Sequence, residues 1–345
     1  MMIICGEALL DVFAAGETST GIALDAKVGG SPFNLAVGLA RLGQPVGFFS
    51  AISTGFAGER LMRALVSEGV DTRAVARSDA PTTLSLIGLD AQGVPSYAFY
   101  GEGCADRLLA EADLARVPAG ITAVNIGSYA TVVEPIASTL RALIERERAR
   151  GDTGDTHDTH GGAPGARALI AYDPNIRLNV EPDLRRWRDQ LAWMLPRTDL
   201  LKVSDEDLGL LQPGIGVGIS VGISVGISVG AADFDAFDAF AANALAHGVK
   251  AVVITRGALG AIGWTAQGRS SIPPVAVDVI DTVGAGDTFQ AALLTWLAEQ
   301  GALSPQALAA LTPEQLHDAL GFAARAAAIT CSRRGADMAR RTEVG

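Results

Sequence analysis

Lysine is scarce in this chain of 345 residues: there are three, Lys27, Lys202 and Lys250, and none follows a glycine. A P-loop, whose lysine closes a glycine-rich turn onto phosphates, is thereby excluded. Cysteine is equally sparse. Cys5, Cys104 and Cys331 stand far apart and match no zinc-ligand spacing, which points to a reducing cytoplasm. Aromatic residues make up 6%, so the core must be built from Ala, Leu, Val and Ile. The formal net charge of −11 leaves no basic face for nucleic acid or an anionic membrane. A phosphorylated ligand would have to be held by backbone N–H groups and a few arginines. The first residues, MMIICGEALLDVF, carry no basic stretch and begin on a strand-like run with an early Glu7 and Asp11, so no signal peptide is expected.

What is present is a hydrophobic content of 49% against 19% charged residues, which with this length suits one large α/β domain, residues 1–345, with an appendage. Short apolar runs alternate with amphipathic segments: IICGEALL, SPFNLAVGLARLG, VGFFSAIS, AGERLMRALVSEG, and later AVNIGS, ALIAYDP, LLKVS and AVVITR. That rhythm predicts βαβ units on a mostly parallel sheet. IALDAKVGG and TTLSLIGLDAQGVPSYAFY break it. They read as strands with a hairpin turn at Asp90 to Gly93, a small antiparallel flap that would cover a site.

Two further stretches look inserted. Residues 152–165, DTGDTHDTHGGAPG, have no apolar periodicity and read as a surface loop, with a metal site from His157 and His160 the less favoured alternative. Residues 213–230 repeat Val-Gly-Ile-Ser. They are long enough for a membrane helix but too rich in Gly and Ser for a good one, and as a strand they would be two-faced. An expanded loop between two helices is the favoured reading.

The chemistry concentrates in DTVGAGDTF, Asp281 to Phe289, just ahead of the apolar run AALLTWLAEQ. Its glycines allow successive N–H groups to converge on an anion at a helix start, and Asp287 falls in the first turn, where the helix dipole favours its charge. Together they suit phosphoryl transfer to a hydroxyl, with Asp287 as base and the loop neutralising the transferred group. An ordinary N-capping Asp after a turn has the same pattern. A second constellation, GGSPFN, lies between a flap strand and a helix. Gly29 and Gly30 would let a polyol approach the backbone, Ser31 and Pro32 start a helix, and Asn34 offers a donor and an acceptor; a plain turn and cap is the alternative. Asp11, taken to end the first strand, would accept sugar hydroxyls or be a solvated strand-end acid.

GGSPFNLAVGLARLG and DTVGAGDTF, in this order and some 250 residues apart, resemble the two signatures of the ribokinase-like (PfkB) carbohydrate kinases. GEALLDVF, DPNIR (Asp173 to Arg177) and KVSDEDL bring the chain closest to bacterial fructokinases. The resemblance implies a ribokinase-like αβα three-layer domain with a mostly parallel central sheet and a small β-sheet lid from about residues 13–30 and 82–105. It also implies ATP along the C-terminal half, sugar beneath the lid and a possible homodimer through it. By match, Asp287 is the base and Gly284, Ala285 and Gly286 are the anion hole. Asp11, Gly29, Gly30 and Asn34 hold the sugar, and Thr255, Gly257 and Gly260 of TRGALG contact ATP phosphates. Ser204 and Asp207 stand where relatives carry Asn and Glu, in a motif tied to magnesium and phosphate. Asp207 is shorter than Glu, and a helix N-terminal acid cluster is the competing reading. Arg177 touches the phosphate or substrate, or pairs with a surface acid. Asp281 and Val283, with Gly335, resemble a potassium site.

Sugar-acid kinases of this family tend to carry an arginine where this chain has Gly101 in FYGEGCAD, with Arg107 nearby, so a neutral ketohexose is favoured. Tyr97 and Phe99 share one face of a lid strand, where either would pack on the sugar or on the lid core. The expected reaction is ATP-dependent phosphorylation of fructose to fructose 6-phosphate. Acceptors such as 2-keto-3-deoxygluconate, ribose or a nucleoside, and a non-catalytic sensor on the same fold, are the alternatives.

Overall fold

The computed structural model describes residues 1–89, 95–153, 167–212 and 231–345. The turn expected at Asp90 to Gly93 and most of both inserted stretches lie outside the described residues, as does the side chain of Tyr97. The strands are β1 (Met2–Cys5), β2 (Leu9–Glu17), β3 (Ile22–Gly29), β4 (Val46–Phe49), β5 (Ala51–Ser53), β6 (Ala76–Ser78), β7 (Thr83–Leu89) and β8 (Pro95–Tyr100), followed by β9 (Ala123–Gly127), β10 (Leu169–Asp173), β11 (Leu200–Ser204), β12 (Ala251–Thr255), β13 (Ala261–Thr265) and β14 (Gly268–Ile272).

The main sheet runs β14-β13-β12-β11-β10-β9-β1-β4. From β4 to β12 every neighbour is parallel, and β13 and β14 add an antiparallel edge. Parallel strands buried on both faces need apolar residues at every position, and β1, β4, β9 and β10 are buried throughout. Alternation divides them between two cores: Met2 and Ile4 pack on one side of the sheet, Ile3 and Cys5 on the other. The α/β class and mostly parallel sheet match the sequence expectation. No helix among the described residues is long and apolar enough to cross a membrane.

The small sheet has the order β3-β2-β7-β8. Its outer pairs are antiparallel as expected, but they are joined by a parallel pairing of β2 with β7. The run IICGEALL is therefore two strands in two different sheets. At Gly6, φ is 142° and a Cβ would lie 2.5 Å from Pro32 Cγ, so glycine alone lets the chain leave β1 here and re-emerge as β2. This corrects the placement of Asp11: it lies within β2 of the small sheet, not at the end of the first strand.

Candidate active site

A cavity of about 1240 Å³ opens between the two sheets. Leu9, Asp11, Phe13, Ser85 and Phe99 of the small sheet line it, facing Ser204 and Thr255 at the ends of β11 and β12 and the loop and helix start from Thr282 to Asp287.

The helix Ala285–Glu299 begins after Gly284, which is left-handed at φ 78°. A Cβ there would come within 2.6 Å of Met338 and 2.8 Å of Ala336, so the close approach also demands glycine. The first helical hydrogen bond runs from Thr288 N to Gly284 O, leaving the N–H groups of Gly286 and Asp287 with no partner inside the helix. The Ala285 N–H donates to Thr282 O at 3.2 Å.

Asp287 sits half-buried in this first turn. Ser31 Oγ donates to its Oδ1 at 2.6 Å, and Asn34 Nδ2 donates to its Oδ2 at 2.9 Å. Both donors come from the helix Ser31–Arg41, whose start is fixed by Gly30 and Pro32. Burial raises the pKa of Asp287 above the ordinary carboxylate value, against the opposing pull of Ser31, Asn34, Arg177 and Lys202. The dipole argument from sequence favoured the anion; desolvation outweighs it.

Asn34, expected to hold sugar, thus has its amide N–H directed at the carboxylate, leaving its carbonyl oxygen for other partners. Gly29 does not line the cavity. A Cβ there would fall 2.3 Å from Asp11 Oδ2, so its role is to make room for that carboxylate. Burial also raises Asp11, which the Ser85 hydroxyl and Arg177 counter and Asp287 reinforces. Gly30 lies at φ 104°, with Glu7 O 2.8 Å from where its Cβ would be.

Sequence reasoning passed over Lys202. It is 5% exposed, donates to Asp173 Oδ2 at 2.8 Å, and its Nζ is 3.3 Å from the position of a Cβ on Gly286. Burial opposes its charge, but Asp173, with Asp207 and Asp287 further away, holds the ammonium above its ordinary value. A fixed positive charge therefore stands against the glycine loop. The signal was visible in retrospect as the lone charged residue in a buried strand, LLKVS.

Arg177 also faces the cavity, where its charge acts on Glu7, Asp11, Asp207 and Asp287. Asp207 accepts from Ile176 N at 3.2 Å, tying the DPNIR loop to the helix Asp205–Leu211. Ser204 is the N-cap of that helix and accepts from Asp207 N at 3.0 Å. Burial pushes the Asp207 carboxyl up to about 6. Thr255, Gly257 and Gly260 line the cavity together; Gly257 and Gly260 have φ of 48° and 85°. Asp281 accepts from Val283 N at 3.0 Å and from Gly335 N at 2.8 Å, joining two loops. Arg107 lies behind the wall, its guanidinium 5.4 Å from the ring centres of Phe99 and Tyr129, so Phe99 packs against a cation as well as facing the cavity.

The family description "pfkB family carbohydrate kinase" matches residues 2–144 and 165–342, a match interrupted around the Asp-Thr-rich stretch. A fructokinase of Rhizobium leguminosarum bv. trifolii is 33% identical over 318 residues, 92% of this chain and 86% of that protein. Among solved structures, a fructokinase from Xylella fastidiosa with bound ATP superposes with a TM-score of 0.78 at 24% identity, covering 99% of this chain and 96% of that one. A fructokinase from Vibrio cholerae O395, in a form with fructose, ADP and calcium ion, gives 0.72 at 21% identity, covering 99% and 95%. These two share the fold.

Proposed function

Because the chain belongs to the pfkB family of carbohydrate kinases, we propose that it transfers the γ-phosphoryl group of ATP to a hydroxyl of fructose, yielding fructose 6-phosphate and ADP. The observation that carries this reading is Asp287 held by Ser31 and Asn34 at the mouth of a glycine-capped helix. A carboxylate anchored there accepts the proton of an alcohol placed against it, and its raised pKa brings it nearer the working pH of a base. The alcohol oxygen then forms the new bond to phosphorus as the bond to the ADP oxygen breaks. Gly284 and Gly286, with the Lys202 ammonium, are assigned to offset the charge on the transferred group, while Ala285, whose N–H donates to Thr282 O, closes the turn between them.

Asp11, Gly30, Asn34 and Arg177 are assigned to the sugar, with Gly29 making room for Asp11, Tyr97 contributing from β8, and the small sheet acting as the lid. Ser204, Thr255, Gly257 and Gly260 are assigned to ATP. The cavity lining carries six carboxylates, Glu7, Asp11, Asp205, Glu206, Asp207 and Asp287, against two cations, Arg177 and Lys202. That balance favours a neutral sugar over a sugar acid and calls for a divalent cation to accompany the nucleotide. No group of three or more His, Cys, Asp or Glu suited to a metal occurs among the described residues. This fits Mg²⁺ carried mainly by phosphates and water, with Asp207 reaching it through water. When bound, the ion would shield the phosphate charges. Asp281 and Val283 are assigned to a K⁺ site beside Gly335. The exposed Ile22 and Leu24 on β3 support a homodimer formed through the lid, and the unpaired cysteines suit the cytoplasm.

The test is ADP release from purified protein with Mg-ATP and a panel of sugars. Turnover with fructose at higher kcat/KM than with ribose, a nucleoside or 2-keto-3-deoxygluconate is expected. Preference for the acid would overturn the substrate, and no turnover with any sugar would overturn the enzyme.

A further inference from the structure

Glu7 lies between β1 and β2, where Gly6 turns the chain beneath the helix Ser31–Arg41. It is 2% exposed, yet it lines the cavity shared by Asp11, Ser31, Asn34 and Asp287, and its Oε2 has no hydrogen-bond partner. Ser128, 1% exposed, follows β9, the strand beside β1, and its backbone is left-handed at φ 54°, an unusual conformation for a residue other than glycine. Its hydroxyl stands close enough to steady the Glu7 anion but outside hydrogen-bond geometry, so Ser128 Oγ also lacks a partner. Two orphaned polar atoms thus lie side by side, Glu7 in the cavity wall and Ser128 behind it. Each costs free energy if nothing ever satisfies it. Gly30 keeps the wall in place, because a Cβ there would strike Glu7 O at 2.8 Å and Cγ at 3.3 Å.

We propose that Glu7, supported from behind by Ser128, is a sugar-binding residue that takes a hydroxyl of the neutral acceptor. This rests on the kinase reading above. A carboxylate accepts a hydroxyl bond more strongly than a neutral carboxyl does. Several groups face Glu7. Arg177, from the loop after β10, favours its charge, and Asp106, from the short turn Ala105–Arg107, disfavours it. Tyr129, after β9, is raised in part by Glu7 and donates its hydroxyl to Asp106 at 2.6 Å. Asp11 and Asp287 complete the acids on the same cavity. Burial outweighs Arg177, and the Glu7 carboxyl is pushed up to about 7, so its hydrogen-bonding state changes near neutral pH.

Steady-state kinetics of Glu7→Ala, Glu7→Gln and Ser128→Ala with fructose and Mg-ATP test the assignment. Glu7→Ala is expected to raise the KM for fructose about tenfold while the KM for ATP stays within twofold, the loss of one charge-assisted hydrogen bond. Ser128→Ala raises the fructose KM by a smaller factor. In wild type the fructose KM falls as pH rises from about 6 to 8, and Glu7→Gln, which keeps the shape, flattens that slope and carries the test should Glu7→Ala fail to fold. A fructose KM within twofold of wild type in Glu7→Ala, a parallel rise in both KM values, or an unchanged pH slope in Glu7→Gln overturns the proposal while leaving the kinase reading intact. Wild-type protein that phosphorylates no sugar overturns both.

Discussion

Asn34 Nδ2 donates to Asp287 Oδ2 at 2.9 Å across 253 residues of sequence. With the Ser31 hydroxyl on the other carboxylate oxygen, this bond joins the start of the helix Ser31–Arg41 to the start of the helix Ala285–Glu299. The two glycine-bearing loops are therefore one structure: the first supplies the donors that orient the acid, and the second supplies the acid and the free N–H groups beside it.

If Asp287 is the base, Asp287→Asn removes the proton acceptor and keeps the shape. A fall in kcat of about 10²–10⁴-fold is expected, the usual contribution of general base catalysis. Sugar affinity, read by calorimetry, should stay within a few-fold of wild type. Undiminished turnover in this variant would remove Asp287 from the chemistry.

The donors to Asp287 pull its pKa down against burial. Removing one by Asn34→Ala should therefore raise it further, and the acidic limb of the kcat profile should move to higher pH by about one unit, the worth of a charge-assisted hydrogen bond. Ser31→Ala should move it the same way. A limb that stays in place, or shifts to lower pH, would show that these bonds do not tune the carboxylate.

How much of this was legible depended on whether the signal was local. The glycines of DTVGAGDTF and GGSPFN mark backbone conformations that side chains forbid, so both loops and their helix starts could be read directly, and so could the alternation of apolar strands with helices. Lys202 and Asp173 could not be paired from sequence, because their meeting depends on the register of β10 against β11. Glu7 was visible as an early acid, but nothing local shows that Gly6 folds it under Pro32. The same turn moved Asp11 into the small sheet. Asp287 shows the remaining limit: the dipole at a helix start can be inferred from sequence, whereas the desolvation that outweighs it comes from the assembled cavity.

Glu7 should also leave a mark on stability. Unfolded, a glutamate loses its proton near 4.3; folded, Glu7 keeps it until about 7. Over that window the native state binds more protons, so the contribution of Glu7 to stability falls as pH rises, by roughly 4 kcal/mol in total. Glu7→Gln cannot ionise. Its melting temperature should match wild type near pH 4 and exceed it at pH 8, and an offset independent of pH would rule out this titration.

Lys202 and Asp173 allow the structural and chemical effects of one charge to be separated. Both are buried, so Lys202→Met leaves Asp173 unpaired and should lower stability by about 3–5 kcal/mol. That loss alone would reduce activity in any assay made near the melting temperature. Lys202→Met combined with Asp173→Asn removes both charges and should restore most of the stability, because an uncharged pair has no desolvation left to offset. Turnover should not return with it. An ammonium 3.3 Å from where a Gly286 Cβ would lie stabilises negative charge developing at the glycine loop, and its loss should lower kcat about 10²-fold or more. Thermal melts and kcat measured on the single and double variants decide between the two roles. If stability and turnover recover together in the double variant, Lys202 serves the fold; if only stability recovers, its charge serves the phosphoryl transfer.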